Sequence, residues 1–306
     1  MRPLTPCSKT PTVPRYGLWE ILLLRAEWQE SDLAAKVGDR GNEGERSMDE
    51  SYQVYVDAHF IGQEIIWGRG YMSPGGDEEV ASVVDGVGIE GKRVLDIGCG
   101  LGGPAVALAA NHGAGKVVGV DIQEDIIEWA KALANERHVD GTTNFQKIEP
   151  GPFPLDDESF DVVFSLGAFV HVPDKDQLMS EIFRVLRPGG AFVANDWERE
   201  WDSPVSEEMV RHAELAELTF HWATPQEMEE AINRAGFPVV TVANRQLWLR
   251  DHLDADVARI KTPKIWQRLS DSLGEEGAGN WLAAWQRLAA LANSGELGAI
   301  HIRAIK

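Results

Sequence analysis

Residues 94–103 read Val94-Leu95-Asp96-Ile97-Gly98-Cys99-Gly100-Leu101-Gly102-Gly103, and this stretch decides the fold. An apolar run holds an acid near its end, and a glycine-dense loop then opens a helix predicted from Pro104 to Asn111. Glycine has no Cβ and tolerates positive φ, so such a loop lets backbone approach a ligand closely. The start of the helix offers free N–H groups to a carboxylate or phosphate. The pattern therefore predicts a ligand cradle at the end of a strand.

A second acid follows at a spacing that suits a ribose. The apolar run at 116–120 ends in Asp121, where a carboxylate can accept hydrogen bonds from both ribose hydroxyls. Gly98, Gly100 and Gly103 also satisfy the dinucleotide pattern, so the glycines by themselves leave open a dinucleotide-dependent oxidoreductase or a bare strand–turn–helix junction. Asp96 favours a cofactor with an ammonium and a sulfonium group, because a buried acid sits poorly beside a pyrophosphate.

Four segments, in the same order, resemble the class I S-adenosylmethionine-dependent methyltransferases. Residues 94–103 resemble their motif I, Asp121 matches their ribose-binding acid, and Phe160-Asp161-Val162-Val163-Phe164-Ser165 resembles their fourth strand. Leu186-Arg187-Pro188-Gly189-Gly190 resembles the turn into their fifth strand. The resemblance covers residues 70–245. It implies S-adenosylmethionine as the cofactor and a Rossmann-like fold, a mostly parallel seven-strand sheet with helices on both faces and an N-terminal helical lid.

The resemblance also implies which residues bind the cofactor. Tyr71, Met72 and Ser73 fall on the cofactor-lid segment of one subgroup that the chain resembles, the phosphoethanolamine N-methyltransferases. Glu149 falls where related enzymes place an acid against the adenine amino group. A solvated loop glutamate beside Pro150 is the alternative for Glu149. The expected cofactor-binding set is Tyr71, Ser73, Asp96, Gly98, Gly100, Gly102, Asp121, Ile122, Glu149 and Ser165.

The chain divides into two regions by composition. Residues 1–47 are rich in proline and glycine, and we expect a loosely ordered extension or sequence upstream of a start at Met48. Residues 48–306 form the predicted methyltransferase domain, in which 48–76 is a lid and 200–223 carries an inserted substrate-side helix. The predicted strands lie near 92–97, 117–121, 143–148, 160–165, 190–196, 237–243 and 298–305, and two long helices are predicted over 247–273 and 278–291.

Composition excludes several partners. The net charge of −20 argues against nucleic acid and anionic membrane surfaces, both of which need a basic footprint. Two cysteines in unrelated contexts predict a reducing, cytoplasmic location. Histidines and carboxylates do not cluster at ligand spacing, so no metal site is predicted. The expected partner is a small-molecule substrate, and the sequence leaves the oligomeric state open.

A narrower resemblance concerns catalysis. Tyr55 through Gly76 looks like the N-terminal region of the phosphoethanolamine N-methyltransferases, where a tyrosine on the first helix and a histidine after strand four form a gating and catalytic pair. Tyr55 and His171 fall on those positions and are the predicted catalytic residues. A packing or capping histidine is the alternative for His171, and a catalytically silent cofactor-binding regulator is the alternative for the whole chain.

The departures from that subgroup concern the acceptor. Gly167 stands where the subgroup has an aspartate that orients the amine, and residues 215–222 lack the arginine and tyrosine of its phosphate clamp. These departures favour a small zwitterion, with methionine S-methylation in a compatible-solute or dimethylsulfoniopropionate-type pathway as the main interpretation. N-methylation of a small amine of the phosphoethanolamine, glycine or sarcosine type is the alternative. Asp196 and Trp197, after the fifth strand, are the predicted substrate-binding residues.

Overall fold

A computed structural model describes residues 60–200, 205–216 and 218–306. The predicted catalytic Tyr55 and the predicted extension at 1–47 lie outside the described residues. The strands of the described chain are β1 Arg93–Ile97, β2 Lys116–Asp121, β3 Thr143–Lys147, β4 Phe160–Leu166, β5 Leu186–Arg199, β6 Val239–Asn244 and β7 Leu297–Ile305.

The seven strands form one sheet in the order β3-β2-β1-β4-β5-β7-β6. The first five pair in parallel, whereas β7 runs antiparallel to both β5 and β6. The chain therefore leaves the central strand β1 in both directions, and the order reverses between β1 and β4. Ligands of open α/β sheets bind at such a switch point, outside the carboxyl ends of the strands.

Helices cover the sheet on both sides. Their apolar positions recur at helical spacing, so each buries one face in the protein interior. Residues 60–67 are helical and are called α1. The other helices are α2 Gly76–Val84, α3 Gly103–Ala110, α4 Glu124–Glu136, α5 Lys175–Val185, α6 Glu207–Ala216, α7 Pro225–Ala235, α8 Gln246–Ile260 and α9 Pro263–Ser294.

Two separate cores lie on the two faces of the sheet. On one face α2, α3 and α4 pack against alternate residues of the parallel strands, with Val80, Leu108 and Ile127 buried. On the other face α5 and α7 pack against the remaining residues, with Met179 and Ile232 buried. Strands buried on both faces read as continuous apolar runs, which is why β1, β2 and β4 were visible in the sequence. The predicted fold class is confirmed.

The C-terminal helices differ from the prediction. The chain breaks between α8 and α9 at Lys261 and Thr262, whereas the sequence analysis placed the break after residue 273. Gly274 there has φ +73° and marks a kink inside α9 rather than its start. Thr262 occupies the N-cap of α9 and Pro263 its first turn, an arrangement typical of helix starts. Within the described residues, no helix is long and apolar enough to cross a membrane.

Candidate active site

The loop between β1 and α3 is folded tightly against its neighbours. The N–H groups of Gly98 and Cys99 both donate to the carbonyl oxygen of Val120, at 2.9 and 3.1 Å. Gly98 has φ +68°, and a Cβ there would lie 2.2 Å from the Cβ of Ala168. Gly100 has φ +49°, and a Cβ there would lie 2.9 Å from the sulfur of Met72. These positions require glycine, because a side chain would be strained and would displace a neighbour.

The same loop meets the predicted lid. The N–H of Gly103, the first residue of α3, donates to the carbonyl oxygen of Gly70 at 2.9 Å. Gly102 precedes α3 with φ +87° and leaves the helix start without a side-chain cap. The lid segment 68–75 therefore lies directly over the loop that the sequence predicts as the cofactor cradle.

Asp96 lies fully buried at this cradle. Neither carboxylate oxygen has a hydrogen-bond partner among the described residues. Burial, and secondarily the charge of Asp121, raises the pKa of Asp96 to about 8. A buried acid without a partner is costly, so it indicates a place for a cationic ligand group. The cradle thus fits a cofactor that carries an ammonium.

Asp121 ends β2 beside the same loop. Its two carboxylate oxygens accept hydrogen bonds from the N–H groups of Gly100 at 3.1 Å and Gln123 at 3.2 Å. Burial raises its pKa, and these backbone hydrogen bonds oppose the rise. The side chain keeps some exposed surface. Each carboxylate oxygen can accept more than one hydrogen bond, so Asp121 still has acceptor capacity for hydroxyl groups.

The lid residues use their polar groups within the protein. Tyr71 is buried, and its hydroxyl donates to Asp77. Burial, reinforced by Asp77, raises the pKa of Tyr71 well above its usual range. Ser73 donates to the carbonyl oxygen of Leu166 at 3.2 Å, and a Cβ at Gly167 would lie 2.4 Å from the Ser73 hydroxyl. The lid therefore occupies the space beside residue 167, which leaves no room there for a side chain.

Three further predicted cofactor residues lie in different environments. Ile122 packs partly buried against the core beside Asp121. Glu149 is 79% exposed and pairs with Lys147 at 2.9 Å, the arrangement of a solvated loop glutamate. Ser165 is fully buried, and its hydroxyl donates to the carbonyl oxygen of Ile97 at 2.8 Å. Ser165 thus ties β4 to β1 in this structure, and its contact with a cofactor remains a prediction.

His171 lies on a short turn after β4, at the crevice. The Nδ1 atom lies 2.9 Å from the carbonyl oxygen of Thr219. A carbonyl can only accept, so Nδ1 carries a proton and the lone pair of the neutral ring is on Nε2. The ring stacks obliquely on Phe220, with 5.0 Å between centroids. Burial is the main cause of a lowered pKa, and the nearby charge of Lys175 lowers it further.

Asp196 uses its carboxylate within the protein, and its contact with a substrate remains a prediction. It is fully buried and accepts hydrogen bonds from the backbone N–H groups of Phe169 (2.6 Å), Val170 (3.1 Å) and Trp197 (2.7 Å). Burial raises its pKa to about 6 despite these bonds. Its carboxylate is occupied by the backbone that leads into His171, so Asp196 positions that turn.

Lys175 joins the same turn to the inserted segment. Its ammonium donates to three carbonyl oxygens, of Phe169, Val172 and His221. The backbone N–H of His221 in turn donates to the carbonyl oxygen of Val170 at 2.6 Å. The sequence carries no signal for this role of Lys175, because its partners are backbone atoms up to 46 residues away. Together these bonds fix the position of His171.

An aromatic cluster lines the inserted segment beside His171. Phe220 stacks on Trp222 with 4.6 Å between centroids, and on His212 of α6 with 6.0 Å. Trp222 and Trp197 both pack against the cluster that contains Met209 of α6. Trp197, a predicted substrate residue, therefore lies on the same side of the molecule as this cluster. The face of an aromatic ring attracts a cationic group of a ligand.

Glu198 is a second buried acid that sequence analysis missed. It is 1% exposed, and neither carboxylate oxygen has a hydrogen-bond partner among the described residues. Burial, together with the charges of Glu200 and Asp196, raises its pKa to about 9. The sequence does not indicate that Glu198 is buried, because the predicted fifth strand ends at residue 196, whereas β5 continues to Arg199.

The comparison with protein families identifies the fold. A family model described as a methyltransferase domain matches residues 89–252, just over half of the chain. The chain belongs to this methyltransferase family. Membership confirms the predicted methyltransferase class and its cofactor, S-adenosylmethionine, and it removes the oxidoreductase alternative. The matched residues include the cradle, Asp121, His171 and the inserted segment.

Curated relatives of this methyltransferase act on different acceptors. A phosphoethanolamine N-methyltransferase from Triticum aestivum is 27% identical over 234 residues, which is 76% of this chain and 45% of the relative. A sterol 24-C-methyltransferase from Pneumocystis carinii is 29% identical over 182 residues, which is 56% of this chain and 48% of the relative. The chain spans about half the length of these curated relatives.

Solved structures confirm the fold. Phosphoethanolamine N-methyltransferase 2 from Haemonchus contortus, in complex with phosphomonomethylethanolamine and S-adenosylhomocysteine, superposes with a TM-score of 0.75 at 23% identity, covering 82% of this chain and 58% of that one. A protein from Galdieria sulphuraria, assigned to the sarcosine dimethylglycine methyltransferases, superposes with a TM-score of 0.70 at 19% identity, covering 82% and 98%.

Proposed function

We propose that this methyltransferase transfers a methyl group to the nitrogen of a small, unphosphorylated amine. The observation that carries the proposal is the bond between His171 Nδ1 and the carbonyl oxygen of Thr219. That bond directs the basic Nε2 atom away from the protein backbone. The lowered pKa keeps the ring neutral at pH 7 and able to accept a proton.

The cofactor cradle supplies binding and orientation. S-adenosylmethionine, when bound, provides an electrophilic methyl group on a sulfonium sulfur. Asp121 would hold the ribose hydroxyls, and Asp96 would balance the charge of the ammonium. The lid contact between Gly70 and Gly103 would help to exclude water from the cradle. These residues position the reactants, and correct positioning is the main contribution a protein makes to an in-line displacement.

An amine acceptor must also lose a proton. An ammonium has no lone pair, so nitrogen attacks only after deprotonation. His171 can accept that proton at Nε2 and release it to solvent, since its side chain is only half-buried. The turn that bears it is fixed by Asp196 and Lys175, which explains why so many buried bonds converge on residues 169–172.

Two arginines that could hold a phosphorylated substrate, Arg199 and Arg245, already have carboxylate partners. Arg199 is bound to both carboxylate oxygens of Glu227, at 3.0 Å each. Arg245 pairs with the buried Glu79 at 2.8 Å. A phosphate dianion is bound best by several unpaired guanidinium groups, and these two are already paired. An unphosphorylated amine is therefore the better candidate, although relatives include phosphoethanolamine N-methyltransferases.

Methionine S-methylation is the second candidate, and Gly167 is the observation that favours it. A thioether has no proton to lose and needs no acid to orient an ammonium at the reacting atom. Gly167 supplies no carboxylate at this position, and the Ser73 hydroxyl lies beside it. The relatives that methylate nitrogen favour the amine over the thioether.

A panel assay with methyl-labelled cofactor tests the proposal. The acceptors are glycine, sarcosine, dimethylglycine, ethanolamine, phosphoethanolamine and methionine, and mass spectrometry identifies the product. We expect the highest kcat/KM for an unphosphorylated amine. Exclusive turnover of methionine would replace the proposal with the second candidate, and a preference for phosphoethanolamine would overturn the argument from Arg199 and Arg245.

A further inference from the structure

Two polar groups beside the aromatic cluster have no partner within the described residues. His212, on α6, is 4% exposed, and its Nδ1 atom makes no hydrogen bond. Arg287, on α9, has a buried Nε atom that also makes no hydrogen bond. Buried donors are almost always satisfied in folded proteins, so two neighbouring exceptions indicate a missing ligand.

The two groups are close to one another and to His171. Helix α6 packs against α9. Burial lowers the pKa of His212 to about 4, and the nearby charge of Arg287 lowers it further. The ring of His212 stacks on Phe220 at an interplanar angle of 25°, and the ring of His171 also packs on Phe220, with 5.0 Å between centroids. The proposed proton acceptor and the His212–Arg287 pair are therefore linked through one shared aromatic neighbour.

The positive charge of Arg287 indicates that the ligand of the His212–Arg287 pair is an anion. Arg287 forms no ion pair with any carboxylate in residues 60–200, 205–216 and 218–306, although the whole chain carries a net charge of −20. Other described arginines, such as Arg199 and Arg245, are paired with glutamates. An unpaired guanidinium in so acidic a protein attracts a small anion, and its planar donors match a carboxylate.

We propose that Arg287 and His212 bind the carboxylate of the substrate, so that the acceptor is an amino acid whose nitrogen faces His171. The inference rests on the proposed function and narrows its substrate class. One guanidinium balances the single charge of a carboxylate and leaves a phosphate dianion half-neutralised. Glycine, sarcosine and dimethylglycine each carry an amine and a single carboxylate on one small molecule, and so match this requirement.

Substitution on α9 tests the assignment against a matched control. Arg287→Gln removes the charge, and Arg268→Gln removes an exposed arginine from the same helix. We expect Arg287→Gln to raise the KM for sarcosine at least 10-fold, with kcat nearly unchanged and the Kd for S-adenosylmethionine unchanged. Methylation of ethanolamine, which has no carboxylate, should not change. Arg268→Gln should behave as wild type, and His212→Phe should raise the KM for sarcosine alone.

A binding measurement separates this inference from the proposed function. Tryptophan fluorescence can follow dimethylglycine binding, since Trp222 stacks on Phe220 and Trp197 packs against the same Met209 cluster as Trp222. Binding that Arg287→Gln abolishes, without methylation of any amine, would support the anion site and reject the proposed function. Equal KM values for sarcosine in wild type and Arg287→Gln would reject the site and leave the function intact. A selective loss of phosphoethanolamine turnover in Arg287→Gln would show that the anion is a phosphate and overturn the carboxylate assignment.

Discussion

Lys175 donates a hydrogen bond to the carbonyl oxygen of His221, 3.0 Å away, and so joins the turn that bears His171 to the inserted segment. Its other two bonds, to Phe169 and Val172, lie within the turn. A lysine with three carbonyl acceptors is well solvated by the protein, although burial still lowers its pKa. Lys175 therefore holds the turn that bears His171 in place, although it is not among the residues predicted to bind cofactor or substrate.

Replacement of Lys175 should loosen this turn. We expect Lys175→Met to lower the free energy of unfolding by about 1–3 kcal/mol, because three carbonyl groups lose a charged donor. The value of kcat should fall as well, while the Kd for S-adenosylmethionine stays within twofold. Chemical denaturation and steady-state kinetics measure both. Lys131→Met is the control, since the ammonium of Lys131 pairs with Glu128 at the protein surface. An unchanged kcat in Lys175→Met would show that the turn does not depend on it.

The two acids expected at the cofactor should differ in importance. Asp121→Ala removes a partly buried carboxylate that also holds the N–H of Gly100, and we expect S-adenosylmethionine binding to weaken by about 2–4 kcal/mol in calorimetry. Glu149→Gln changes an exposed side chain paired with Lys147. We expect this variant to weaken S-adenosylmethionine binding by less than about 0.5 kcal/mol. A large loss in Glu149→Gln would restore its predicted adenine contact, and unchanged affinity in Asp121→Ala would remove the ribose assignment.

Position 167 should reject any side chain. Gly167 has φ +72°, and an added Cβ would lie 2.4 Å from the hydroxyl of Ser73. We expect Gly167→Ala to weaken cofactor binding by displacing the lid and to cost about 1–3 kcal/mol of stability through backbone strain. Gly141→Ala is the control, because nothing lies within 4 Å of its Cβ position. The double variant Gly167→Ala/Ser73→Gly should recover part of the loss, and full retention of binding in the single variant would contradict the close lid contact.

Glu198 should destabilise the protein as the pH rises. Its folded pKa of about 9 lies above the ordinary value of 4.5, so between these values the folded state keeps a proton that the unfolded state has lost. Stability therefore falls with rising pH across this window. We expect Glu198→Gln to raise stability by about 1–3 kcal/mol at pH 8 and to change little at pH 4. Thermal unfolding at both pH values measures this, and a variant that is less stable at pH 8 would mean that Glu198 has an anionic role.

The parts of the fold that follow from local sequence were predictable. Continuous apolar runs at β1, β2 and β4 and the glycine loop between β1 and α3 carry their own signal. The start of α9 also has a sequence signal, because Thr262-Pro263 matches Thr224-Pro225 at the start of α7. The predicted break near Gly274 is wrong. A glycine in a helical pattern proved to be a kink rather than an end.

The candidate site was predictable only where a motif marked it. Asp96 and Asp121 lie near the carboxyl ends of the apolar runs that form β1 and β2, and His171 follows β4, so a motif marks each of them. The role of Asp196 in holding the turn was not predictable from the sequence. Two of its three backbone donors lie in a turn 26 and 27 residues away. The His212–Arg287 pair was missed for the same reason, because two helices that are far apart in sequence bring it together. Burial without a partner is a property of packing and leaves no mark on a single sequence.

The most direct test of the proposed chemistry is the pH dependence of kcat/KM for sarcosine, measured in wild type and in His171→Ala. An amine acceptor that transfers its proton to His171 predicts an acid limb below neutral pH in wild type, because protonated imidazole cannot accept a proton. His171→Ala should lose about 10²–10⁴-fold in rate, and the limb should disappear with it. Binding of dimethylglycine should stay unchanged in that variant. An acid limb that persists in His171→Ala, or a rate that falls less than twofold, would contradict the role assigned to His171.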